Sequence, residues 1–207
     1  SIPYVLNQSS IVPVVKKYDV ILTDPPYYDA IPYSTLMDFF YVWLRRTLNG
    51  MGMGFDLAFN SPLTTKWDEE KNDGELIDDS ARFNGDKTIS KETYEDGMYR
   101  VFLNCYCQLN DEGRLVIVFA HKQPDAWETL VTALIKSEFL VDASWPIQTE
   151  RTSRARALSS AALSSSVWLV CKKRLKNARP GWDNKVLEEM RSNIHHRLHE
   201  YWDAGIR

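Results

Sequence analysis

Asp24, Pro25, Pro26 and Tyr27 stand in succession directly after a short apolar run, YDVILT at 18–23. A carboxylate, a rigid backbone carbonyl and an aromatic ring in that order suit one kind of chemistry. The exocyclic amine of a base such as adenine or cytosine is a poor nucleophile, because its lone pair is delocalised into the ring. Acceptors must draw on its hydrogens while the nitrogen approaches an electrophilic carbon. Asp24 supplies one acceptor and the Pro25 carbonyl another, held by prolines whose φ is fixed. Tyr27 offers a face on which an extruded base can stack. Such positioning and electrostatics lower a barrier by several kcal/mol, about 7 or more for ideal alignment. The bare tetrapeptide is also an ordinary turn after a strand. Its context, YYDAIPY at 27–33 leading into an aromatic helix, favours the chemical reading.

The elements that must hold this turn follow from periodicity. YDVILT reads as a parallel strand buried on both faces, and it delivers Asp24 at its carboxyl end, where open α/β sheets bind ligands. Ser34 to Leu48 is predicted helical, with the stripe Leu36, Phe39, Phe40, Trp43, Leu44 and Leu48, Ser34 as N-cap and Asn49-Gly50 as the stop. Residues 50–89 read as a long loop, a candidate substrate-facing lid. A second helix is predicted from a capping pattern at Ser90 to about Leu109, closed by Asp111, Glu112 and Gly113. Then come a strand from Leu115 to Phe119, a helix from Pro124 to Ser137, a strand from Phe139 to Ile147, a Ser-, Ala- and Arg-rich connection, a strand from Ser166 to Cys171 and a helix from Asp183 to Trp202. The alternation predicts an α/β fold with a mostly parallel sheet and helices on both faces. The last two strands lack a helix between them, so one antiparallel strand is expected. Three regions result: a leading segment 1–17, a catalytic domain 18–175 with the insertion 50–89, and a C-terminal helix region 176–207.

The 207 residues are 44% hydrophobic and 26% charged, the balance of one globular domain with a sizeable core. Neither a membrane span nor a secretory signal is legible, and three cysteines are too few for a disulfide framework, so a cytoplasmic location is expected. A net charge of −3 excludes a uniformly basic coat, so any nucleic-acid contact must be local. Arg151, Arg154 and Arg156 in the Arg-rich connection are candidate phosphate contacts, with plain solvation as the competing account. His121 ends the central strand on the same sheet edge as Asp24 and is a candidate substrate contact, as are Tyr28 and Tyr33 beside the turn. His195, His196 and His199 form HHxxH without a cysteine pair, and a solvated helix end explains them better than a metal site. Cys105 and Cys107 have the wrong spacing for a zinc knuckle, and core packing explains them better.

Residues 18–48 resemble the signature region of the large prokaryotic adenine-specific DNA methylases, the zinc-ribbon-containing group. RLVIVFAHK at 114–122, FLVDASWPIQTE at 139–150 and SSVWLVCKK at 165–173 resemble that family's following strands. The resemblance implies a Rossmann-like class I methyltransferase sheet and S-adenosyl-L-methionine as methyl donor, with Asp24 next to it. It also implies double-stranded DNA with a flipped adenine as partner, and places Asp24, Pro25, Pro26 and Tyr27 at the amine. The Phe-x-Gly-x-Gly loop that such enzymes carry after their first strand has no counterpart here, since the glycines at 50, 52 and 54 follow a helix. The expectation is therefore a C-terminal catalytic part lacking the N-terminal cofactor-binding half, with that missing segment of the same polypeptide as a partner and weak or absent cofactor binding alone. Cytosine's exocyclic amine, adenine in RNA, and a non-catalytic nucleic-acid-binding module remain open alternatives.

Overall fold

A computed structural model of the chain describes residues 8–26, 33–53, 74–147, 166–175 and 183–203. The chain divides into two compact units, Ser1–Lys173 and Arg174–Arg207. The first is an α/β unit. Its elements run β1 (Tyr18–Thr23), α1 (Tyr33–Leu48), a single 3-10 turn (Ser80–Phe83), α2 (Lys87–Gln108), β2 (Leu109–Phe119), α3 (Pro124–Lys136), β3 (Phe139–Ile147) and β4 (Ser166–Lys173). The second unit contains α4 (Asp183–Asp203).

The four strands form one sheet in the order β1-β2-β4-β3. β1 pairs parallel with β2, whereas β4 pairs antiparallel with both β2 and β3. Three strands therefore run one way, and β4 runs against them between two of them. The expected antiparallel pairing of the last two strands is observed.

Alternation along β2 and β4 turns Leu115, Ile117, Phe119, Leu169 and Cys171 to one face, where they are buried. Tyr94, Met98 and Phe102 of α2 and Leu130, Ala133 and Leu134 of α3 close over that face as a single core. Trp127 meets Phe119 edge to face at 4.9 Å, and Tyr106 meets Phe139 in the same way at 5.6 Å.

Several expectations are corrected. α2 starts three residues before Ser90. Its N-cap is Asp86, whose carboxylate accepts from Thr88 N and Ile89 N at 2.9 and 3.1 Å. Ser90 is instead buried, and its hydroxyl donates to Asp78. Asp111, Glu112 and Gly113 do not end a helix but lie within β2, in the stretch between Leu109 and Arg114 where its register with β1 shifts. β1 is not buried on both faces. It is an edge strand, with Val20 and Leu22 exposed at 61% and 60%. α2 and α3 pack on the same face of the sheet, and among the described residues no comparable core forms on the other face, where cover was also predicted. The apolar stripe of α1 is likewise uncovered, with Phe39, Phe40 and Trp43 all more than half exposed. Ser34 is the second residue of α1 rather than its N-cap.

Candidate functional site

β1 ends at Thr23, and the prolines that follow can continue neither its ladder nor a helix. Asp24 is exposed at the strand's carboxyl end, while Pro25 and Pro26 are half-buried. Beside them opens a cavity of about 610 Å³, lined by Thr23, Asp24, Pro25, Pro26 and Tyr33. Its far wall is Gly74, Glu75 and Leu76 from the region expected as a lid, and its floor is Met98, Val101 and Phe102 of α2. Ser10 joins the rim because its carbonyl accepts from Asn104 Nδ2 at 2.6 Å, which ties the leading segment to α2. The volume lies in the range of pockets that enclose small organic ligands.

The polar groups of this cavity fall into two sets. Among the described residues nothing donates to the Asp24 carboxylate, and the Thr23 hydroxyl is enclosed without a hydrogen-bond partner. Buried polar groups are nearly always paired, so an orphaned hydroxyl at a cavity wall is a group to be explained. Glu75, by contrast, is fully engaged. Its carboxylate accepts from Ser34 N at 3.0 Å, from Ser34 Oγ at 2.6 Å and from Arg82 Nη2 at 2.6 Å. Burial alone would raise the Glu75 carboxyl, but these donors outweigh it and hold its pKa below the usual value.

No sequence pattern points to Tyr94 of α2 as part of the site. It is 2% exposed, and its hydroxyl donates to the Pro26 carbonyl at 2.7 Å. Of the two proline carbonyls, that of Pro25 is thus the one without a donor among the described residues. Glu75 and Arg82 were missed as well. Only the length of the region from 50 to 89 pointed toward them.

The other candidates divide. Tyr33 joins Asp24, Pro25 and Pro26 at the cavity. His121 follows β2, the neighbour of β1, but does not line this cavity among the described residues. Its Nδ1 accepts from Gln123 N at 3.1 Å and its carbonyl from Trp127 Nε1 at 2.9 Å, which ties it to the start of α3. Tyr27, Tyr28, Arg151 and Arg154 lie outside the described residues. Cys105 packs against the core, but Cys107 is exposed, so core packing accounts for only one of the pair. In the second unit His195 and His199 meet edge to face at 4.6 Å, and His196 lies 3.2 Å from Glu200, all on an exposed helix. Among the described residues no three His, Cys, Asp or Glu side chains converge as a metal site would require, and no helix is long and apolar enough to cross a membrane.

The cavity presents the Asp24 carboxylate over the apolar floor of Met98 and Phe102, and among the described residues no second unengaged carboxylate lines it. Comparison with protein-family models, with curated proteins and with solved structures finds no match to this chain.

Proposed function

We propose that this chain carries the base-amine site of an S-adenosylmethionine-dependent methyltransferase acting on the exocyclic amine of adenine in DNA. The observation that carries the reading is Asp24. At the tip of an apolar strand and flanked by a proline carbonyl, its carboxylate has no donor among the described residues and opens on a cavity of about 610 Å³. The sheet order, with one strand running against three, supports a methyltransferase sheet of the Rossmann-like class. β1 stands at the edge of the sheet formed by the described strands, and a further strand of such a sheet would pair there.

In this reading an adenine taken out of the duplex enters the cavity, and Asp24 and the Pro25 carbonyl accept the two hydrogens of its amine. Density shifts to the nitrogen. Bound S-adenosylmethionine would supply an electrophilic methyl group to that nitrogen and depart as the neutral thioether, with Asp24 and the apolar floor residues holding it. The amine's surplus proton leaves through Asp24 to water. The apolar floor excludes competing water, which strengthens both hydrogen bonds.

Transfer of a tritiated methyl group from S-adenosylmethionine to DNA, RNA and protein tests the reading. Label in DNA recovered as N6-methyladenine is the expected result. Label recovered only in cytosine, in RNA or in protein would replace the acceptor, and no transfer to any of them would leave the chain a binding module at most.

A further inference from the structure

α4 carries an apolar stripe that faces solvent. Val186, Leu187, Met190, Ile194 and Leu198 recur every three or four residues, the spacing that gathers side chains on one face of a helix. All five are exposed, between 41 and 62%. A helix draws most of its stability from burying such a face, so the stripe calls for an occupant. The charges along the helix say which. Glu188 and Glu189 lie in its first half, whereas the stretch from Arg191 to His199 holds two arginines and three histidines and no acid. Among the described residues no ion pair engages Glu188, Glu189 or Arg191. Within the helix Glu200 does lie 3.2 Å from His196 and 3.6 Å from Arg197, but exposed pairs of that kind contribute little.

We propose that α4 is a self-association helix, which pairs antiparallel with α4 of a second copy of this chain. A twofold axis beside Ser192 and Asn193 sets Met190 against Ile194 of the second copy and Leu187 against its Leu198. One symmetric contact then buries both stripes. The same register brings Glu188 and Glu189 level with Arg197 and His196 of the second copy, and the twofold repeats each pairing. Acid thus meets cation along the contact. Parallel pairing would instead lay acid on acid and cation on cation, which opposes association. A helix of this length spans about 30 Å. One stripe against another is a small contact for a specific interface, so the dimer dissociates on dilution. The pairing is independent of the proposed methyl transfer.

Analytical ultracentrifugation of the full chain, over a dilution series from millimolar to micromolar, tests the proposal. The wild type should pass from dimer to monomer along the series. Ile194→Asp sets a carboxylate in the middle of the contact and should give monomer throughout. Because a charge at that position also disturbs the helix itself, charge reversal provides a second arm. One variant carries Glu188→Lys with Glu189→Lys, another Arg191→Glu with Arg197→Glu, and a third carries all four changes. Each of the first two sets like charges together at both symmetric ends and should weaken the dimer by about tenfold or more. The third restores opposite charges across an antiparallel contact, and its dimer should return to within about threefold of the wild type. A wild type that is monomeric at every concentration overturns the proposal. A dimer that survives Ile194→Asp lies on another surface and overturns it as well. A fourfold variant as weak as the first two overturns the antiparallel register.

Discussion

Gly113 of β2 lies so close to Asp19 of β1 that a Cβ built on it would stand 2.9 Å from the Asp19 carbonyl oxygen and 2.7 Å from Leu109 Cγ. The register of the parallel pair shows why. Tyr18 pairs with Leu109 but Val20 pairs with Arg114, so β2 takes in extra residues there and folds back against the start of β1. Gly113→Ala must push against the Leu109 side chain and the Asp19 backbone carbonyl together. It should destabilise the unit by about 1–3 kcal/mol in urea unfolding. Because β1 carries Asp24, ligand binding at the cavity should weaken in parallel. An alanine variant as stable as the wild type would show that this contact yields without cost.

Glu75 predicts a pH dependence. Its folded pKa lies below the ordinary value, so it binds fewer protons folded than unfolded, and its contribution is complete above the unfolded carboxyl pKa of about 4.3. That contribution is lost as the pH falls through the lower folded value. The stability difference between the wild type and Glu75→Gln should therefore be largest near neutrality and shrink as the pH drops below the ordinary carboxylate range. A difference independent of pH would mean that the carboxylate is not what holds Ser34.

The three cysteines should separate by reactivity. Burial pushes the Cys105 thiol up to about 11, and burial together with the Asp142 carboxylate pushes Cys171 up to about 12, whereas Cys107 is exposed. Since the thiolate is the reactive form, a disulfide reagent at mildly alkaline pH should modify Cys107 first and reach the other two only on unfolding. Rapid modification of all three in the native protein would contradict this burial.

The course of the chain was legible where side-chain period and packing agree. α1, α3 and β3 stand within a residue or two of their predicted limits, because their apolar spacing and flanking breakers point the same way. The start of α2 was not legible. Ser90 has the right residue type for a cap, but Asp86 offers a carboxylate to two free amides one turn earlier. Nor was the edge position of β1, because an apolar run reads alike whether or not both faces are covered. At the site, Asp24 and its prolines could be read from their order alone. Tyr94 could not, because helical period accounts for its burial but not for the carbonyl its hydroxyl meets. Glu75 and Arg82 depend on contacts 41 and 48 residues away with Ser34, which no local pattern encodes.

The most direct test of the account is methyl transfer to adenine in DNA by the Asp24→Ala protein, with DNA binding measured alongside. Loss of one acceptor that acts on the reacting amine should lower kcat on the order of 100-fold or more while DNA affinity changes by less than about threefold. Transfer at the wild-type rate would contradict the role given to Asp24.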